Sequence, residues 1–114
     1  MDQLPIFVNL KGRNVILVGE GEMADAKRRL IERAGGICVD ADDKDARIAF
    51  VAIADEDAAR VSADALKARG LLVNVVDRPE ICDFTTPAIV DRTPALVAVG
   101  TGGASAGMAK AIRQ

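Results

Sequence analysis

Apolar residues fill every position from Val15 to Val18, between Gly12 and Gly19. A short aliphatic, β-branched run without alternation predicts a strand buried on both faces of a parallel sheet. The period then changes. Met23, Ala26, Leu30 and Ala34 recur at spacings of three and four, with Lys27, Arg28, Arg29, Glu32 and Arg33 on the other side and Gly35-Gly36 behind them. That pattern predicts an amphipathic helix packed by one face on the sheet and stopped by the glycines. "GICVD" and "ARIAFVAIAD" read as a second and third strand, "DEDAARVSADALKARG" as a second helix built on Ala58, Val61, Ala65 and Leu66, and "LLVNVVD" as a fourth strand. "PAIVDRTPALVAVG" reads as two strands around Asp91-Arg92-Thr93-Pro94, and "TGGASAGMAKAIRQ" as a glycine-rich turn opening a helix.

Strands alternating with helices imply an α/β fold, here Rossmann-like and doubly wound with a mostly parallel sheet, ending in a β-hairpin and the start of a helix. One unit is short. Parallel neighbours need a crossover of about a dozen residues or more, yet only Ala41 to Arg47 separate the second and third strands. The sheet is therefore expected to be shortened by one element. The last helix has no Gly, Asn or Pro to end it, so the chain reads as a piece of a longer protein.

The first strand runs into Gly19, Gly21 and then Ala24, the G-x-G-x-x-G/A spacing of a dinucleotide-binding turn. There Gly19 allows a sharp turn, Gly21 lets backbone approach a pyrophosphate, and Ala24 lets helix pack on strand, with the helix N-terminus aimed at the anion. Asp40 follows about 20 residues on, where a carboxylate accepts the ribose hydroxyls of NAD and repels the 2′-phosphate of NADP. Its bland alternative is a solvated turn acid beside Asp42 and Asp43. Glu20 and Glu22 are unusual in such a turn. Glu22 gains from the helix dipole when no ligand is present but competes for the same amides. Weaker cofactor binding than in an all-glycine turn is expected.

Composition narrows the chemistry. The 114 residues, half of them apolar, make one compact domain, and Lys plus Arg total 15 against 17 Asp plus Glu without a block of either sign, so no nucleic-acid or membrane binding is expected. No run nears the roughly 18 apolar residues of a membrane span, and the expectation is a soluble, cytoplasmic protein. Cys38 and Cys82 are expected as reduced, buried thiols. The chain has no His, which removes His-based metal sites and His-assisted nucleophiles; no metal site is expected.

The segments "MDQLPIFVNLKGRNVILVGEGEMADAKRRLIERAGG" and "NVVDRPEICDFTTPAIVDRTPALVAVGTGGASAGMAKAIR" resemble the N-terminal precorrin-2 dehydrogenase module of siroheme synthases over nearly the whole chain. The "LPIF" start, the "NVVD" strand end, the "DF-x-x-PAIVDR-x-P" hairpin and the "VAV-x-x-GG" turn carry the resemblance, because no generic dinucleotide fold requires them. It implies NAD-dependent oxidation of precorrin-2 to sirohydrochlorin, with ferrous iron insertion in some members. The family's catalytic aspartate falls on Asp77, its dinucleotide contacts on Glu22, Met23 and near Asp40, and its active-site loop or phosphorylation position on Thr101. The resemblance also implies a homodimer in the complete protein, formed with a helical segment that normally follows Gln114. Here Glu20 replaces a family glycine, and the stretches between the second and third strands and after Ala54 are shorter.

The residues agree on their own terms. An acid at the C-terminal end of a parallel strand sits in the crevice where doubly wound sheets bind ligands, and a dehydrogenase needs a base to collect the proton that accompanies the hydride. Asp77 is the candidate base, its rival reading a turn acid before Pro79. A substrate rich in carboxylates needs cations or free amides nearby: Arg78, Arg92 and the turn at Gly102 and Gly103, with Thr101 and Ser105 as further contacts. Ser105 reads equally as a helix N-cap. Ala54, near the end of the third strand, is assigned to the cofactor with Gly19 and Gly21. Residues 1–100 are thus expected to form the NAD-binding domain, and 101–114 a turn leading to a dimerisation segment. The rival function is a degenerate module that binds NAD or a tetrapyrrole without turnover, as a regulatory or carrier subunit. A dehydrogenase for another substrate leaves the family segments unexplained.

Overall fold

The computed structural model describes residues 1–100. Val8–Phe84 form one compact unit, and Met1–Phe7 with the chain from Thr85 onward form another. In the larger unit, β1 (Asn14–Gly19), β2 (Ile37–Val39), β3 (Ile48–Ala52) and β4 (Leu72–Val75) make a parallel sheet in the order β2-β1-β3-β4. Helix α1 (Glu22–Arg33) follows β1, α2 (Glu56–Ala68) follows β3, and a 3-10 turn spans Pro79–Ile81. The fold is α/β, Rossmann-like and doubly wound. Parallel register gives each face its own core. Val15, Leu17, Phe50 and Ala52 pack with Ala24 and Ile31 of α1, whereas Ile16, Ala49, Val51, Val73 and Val75 pack with Ala59, Ala63 and Leu66 of α2.

Both helices are rotated from the expected orientation. α1 buries Ala24 and Ile31, while Ala26 and Ala34 are exposed; α2 buries Ala59, Ala63 and Leu66 and leaves Val61 70% exposed. Alanine is small enough to serve either face, so the two larger side chains, Ile31 and Leu66, decide the rotation by burying more apolar area. One consequence is local: Lys27, expected on the solvent side of α1, is half-buried between Ala24 and Ile31.

The short link between β2 and β3 joins strands that are not neighbours, because β1 lies between them. Side-chain hydrogen bonds hold it. Asp43 accepts from the amides of Asp45 and Ala46 at 2.9 and 2.8 Å and from Asn14 Nδ2 at 3.0 Å, while Arg69 at the end of α2 donates to the carbonyls of Ala41 and Asp43. Ala46 fills the α2-side core beneath.

The other edge, β4, is lined by the chain that returns past it. The Asp83 amide donates to the Val73 carbonyl at 2.8 Å and the Asp83 carboxylate accepts from the Val73 amide at 2.9 Å; the Cys82 thiol meets the Val75 amide at 3.1 Å. Cys38 and Cys82 are free thiols, half-buried rather than buried, and burial pushes the Cys38 thiol up, against nearby Arg28 and with Glu32 adding to the rise.

In the second unit, β5 (Ala88–Arg92) and β6 (Ala95–Val99) form the expected antiparallel hairpin around Thr93-Pro94. Asp91 Oδ1 accepts from the Thr93 hydroxyl at 2.6 Å and the Thr93 amide at 3.2 Å, an Asx-type turn. No helix among the described residues is long and apolar enough to cross a membrane.

Candidate functional site

Because β1 to β4 are parallel, the residues that follow them gather at one edge of the sheet. Gly19, Gly21, Glu22 and Met23 follow β1, Asp40 follows β2, Ala54 follows β3, and Asp77 and Arg78 follow β4. Topology thus brings the expected cofactor and catalytic positions of this unit together.

The two turn glycines serve different ends. A Cβ on Gly19 would lie 1.9 Å from the Ala52 carbonyl oxygen, so that glycine is required by the close approach of β1 to β3. Gly21 is open. A Cβ there would meet nothing within 4 Å, but its φ of 90° and ψ of −167° lie in a region only glycine occupies readily. Gly21 is the N-cap of α1 and no side chain caps the helix, so the first-turn amides are left for an outside acceptor such as an anion. Ala24 is 1% exposed beneath the turn, as the fingerprint requires. Glu20 and Glu22 are exposed, and neither closes the helix end. The cradle therefore fits a diphosphate.

Asp40 stands exposed at the end of β2, with Oδ1 accepting the Asp42 amide at 3.1 Å. This bond leaves Oδ2 for a ribose hydroxyl. Asp77 lies beyond the strand end, in an exposed turn with φ 64°. A non-glycine residue there is strained by roughly 1 kcal/mol or more, and Asp and Asn are the side chains that tolerate it best. The Arg78 amide closes the turn onto the Val75 carbonyl at 3.1 Å.

Arg78 is not the free cation that was expected. Its Nη2 donates to the Ala54 carbonyl at 2.7 Å, tying the end of β4 to the β3–α2 turn. Ala54 thereby gains a structural role alongside its assigned one. Asp83 is engaged too, by the Val73 amide and by Lys67 at 3.8 Å, which leaves Asp77 as the acid facing outward at this strand end. Arg92 lies exposed on the hairpin of the other unit. Thr101, Gly102, Gly103 and Ser105 lie outside the described residues.

Two residues at this edge carried no sequence expectation of function. Asn74, 5% exposed, donates from Nδ2 to the Phe84 carbonyl at 3.0 Å, while its Oδ1 has no partner. Lys27 places its ammonium 5.8 Å from the centroid of the Phe50 ring. Burial pulls it below the usual lysine range, and Asp77, then Cys82, oppose that shift. The signal for Lys27 was its spacing, three after Ala24 and four before Ile31.

Comparison with known proteins places this geometry. Siroheme synthases from Azotobacter vinelandii, Thiobacillus denitrificans and Nitrosomonas europaea are 40%, 37% and 34% identical to the chain, each over 99% of it. The chain is related to siroheme synthases. It spans about 30% of the length of these relatives. The alignment to the first runs over 141 positions against 114 residues here, in keeping with a shortened unit. A family model described as "Putative NAD(P)-binding" matches residues 36–88, from the start of β2 to that of β5, and leaves the glycine turn outside. The solved structure of "SirC, precorrin-2 dehydrogenase" shares the fold, with a TM-score of 0.73 at 21% identity over 97% of this chain and 68% of that one.

Proposed function

We propose that the chain is an NAD-dependent precorrin-2 dehydrogenase module that forms sirohydrochlorin. The observation that carries this reading is the pairing, at one sheet edge, of an uncapped helix N-terminus with an outward-facing acid in a strained turn. The amides of α1 bind the pyrophosphate, Gly21 lets it come close, and Asp40 takes the ribose and disfavours the extra phosphate of NADP. Bound NAD supplies the hydride acceptor. Dehydrogenation removes one hydrogen of precorrin-2 as hydride and a second as a proton, which the Asp77 carboxylate accepts. Arg92, Gly102, Gly103, Thr101 and Ser105 are the proposed contacts for substrate carboxylates; Arg78 acts by fixing the turn that carries Asp77. Iron insertion, seen in some members of the family the chain resembles, would draw on the same carboxylate.

The proposed setting is the cytoplasm, and the proposed complete protein is a homodimer formed with a segment that follows Gln114. Leu96 and Val97 of β6 are about half exposed, and as successive strand residues they point to opposite faces. Sedimentation of this chain is expected to show weak association; a tight micromolar dimer would place the interface within residues 1–114.

One observation favours the rival reading of binding without turnover: one Asp40 oxygen is already used in the compressed connection after β2. A single experiment separates the readings. NAD is titrated calorimetrically, and precorrin-2 is then supplied and followed spectrally. Saturable NAD binding, tighter than NADP, with sirohydrochlorin formation supports the proposal; binding of NAD or of precorrin-2 without product supports the carrier; binding of neither refutes both.

A further inference from the structure

Arg78 is half-buried, and its guanidinium is only partly satisfied. Nη2 donates to the Ala54 carbonyl at 2.7 Å, while Nε is buried and meets no acceptor among the described residues. Buried donors in folded proteins are nearly always bonded, and one that belongs to a charged group is the costliest to leave without an acceptor. A second cost sits beside it. Asp77 holds φ 64°, a left-handed backbone that a non-glycine residue adopts under strain. Two such features in consecutive residues lie at the end of a parallel strand, where doubly wound sheets bind ligands, and together they mark a place kept for an incoming group.

The backbone of Arg78 is fixed from both sides. Its amide donates to the Val75 carbonyl at 3.1 Å, and its carbonyl accepts from the Ile81 amide at 3.1 Å and lies 3.3 Å from Cys82 Sγ. Only the side chain is left to move, and one bond to a neutral carbonyl holds it. A carboxylate offers more. Nε and Nη2 lie along one side of the guanidinium and match the two oxygens of a carboxylate as a fork, and both bonds of that fork are charge-assisted.

We propose that Arg78 is a substrate-binding residue held in reserve: in the unliganded chain it rests on the Ala54 carbonyl, and on binding it exchanges that bond for a bidentate pair with a carboxylate of the tetrapyrrole. The inference rests on the dehydrogenase reading and deepens it, because one substrate carboxylate is thereby fixed beside the candidate base. The exchange gives the buried Nε its acceptor. It also frees the Ala54 carbonyl, so that the turn before α2 responds when substrate binds.

Sirohydrochlorin, the proposed product, serves as the probe and is titrated into protein labelled with ¹⁵N in its backbone and arginine side chains. The Arg78 Nε–H resonance is expected to move downfield as it gains an acceptor, and the amide of Asp55, which shares a peptide group with the Ala54 carbonyl, to move over the same concentrations. In kinetics, Arg78→Lys keeps the charge and a donor for Ala54 but lacks the fork. It should raise KM for precorrin-2 about tenfold or more, with kcat and NAD affinity each within about twofold; a residue that only fixes the turn would lower kcat instead, by displacing Asp77. The titration uses the parent protein and decides the question whether or not the variant folds. If sirohydrochlorin perturbs other resonances and leaves the Arg78 Nε–H in place, or if Arg78→Lys has parental KM, the inference is overturned and the dehydrogenase reading stands. Movement of the Nε–H on addition of NAD alone overturns it as well, since the arginine would then serve the phosphates of the cofactor. Sirohydrochlorin that perturbs no resonance overturns the tetrapyrrole reading together with the inference.

Discussion

Two helices leave the same edge of the same sheet, and their first turns are built in opposite ways. α2 begins after Asp55, whose carboxylate accepts the Ala58 amide at 2.9 Å. α1 begins after Gly21, and no side chain takes its amides. Both first turns carry two acids, Glu22 and Asp25 in α1, Glu56 and Asp57 in α2, so the dipole is matched in each. The difference lies in the cap alone. Asp55 closes α2 with a charge of its own, whereas the glycine of α1 leaves the same hydrogen bonds for an outside anion, at a cost of only a few tenths of a kcal/mol relative to a capping side chain. A capped turn is a finished structural joint. The uncapped one, above a buried Ala24, is the proposed binding site.

Substitutions at the two turns should separate these roles. The largest effect is expected from Gly19→Ala, because its Cβ would sit 1.9 Å from the Ala52 carbonyl oxygen. Pushing β1 and β3 apart should destabilise the unit by about 3 kcal/mol or more, read as a large fall in urea midpoint; a near-parental midpoint would show that the turn relaxes freely. Gly21→Ala should cost about 1–3 kcal/mol through its backbone conformation and should also abolish measurable NAD binding in protein that remains folded. Asp55→Ala is expected to cost about 1 kcal/mol by loss of the cap while NAD affinity stays within about twofold. Should Asp55→Ala weaken NAD and Gly21→Ala leave it intact, the roles of the turns are reversed. Smallest is Glu22→Gln, which removes a competing charge worth about 0.3–1 kcal/mol at a helix N-terminus and should tighten NAD a few-fold. Weaker binding would mean that Glu22 contributes a contact.

The parts of the fold that were readable in the sequence are those where period and punctuation agree. Val15, Ile16 and Leu17 are buried as expected while Val18 is half-buried, the Thr93-Pro94 hairpin forms, and Gly19, Gly21 and Ala24 occupy a strand–turn–helix. Helix rotation was not readable, since Ala24, Ala26, Ala34, Ala58, Ala59, Ala63 and Ala65 fit more than one apolar stripe and a lysine sits within the true one. Strand order was not readable: the connection is shorter than a usual crossover, and hydrogen bonds to the Asp43 carboxylate and from Arg69 hold it as it passes β1. The candidate site was legible where topology alone sets it, at the ends of parallel strands. It was not legible for Arg78, because an arginine beside a candidate base looks the same in sequence whether it binds substrate or, as here, the Ala54 carbonyl.

The measurement that tests the contrast most directly is the change in backbone amide resonances as NAD is added to ¹⁵N-labelled protein. The shifts are predicted to be largest at Glu22, Met23 and Ala24, with smaller ones near Asp40 and Asp77, and to be negligible at Glu56, Asp57 and Ala58, where Asp55 already occupies the helix end. Equal shifts at both helix starts, or shifts confined to α2, would contradict the assignment of α1 as the dinucleotide site.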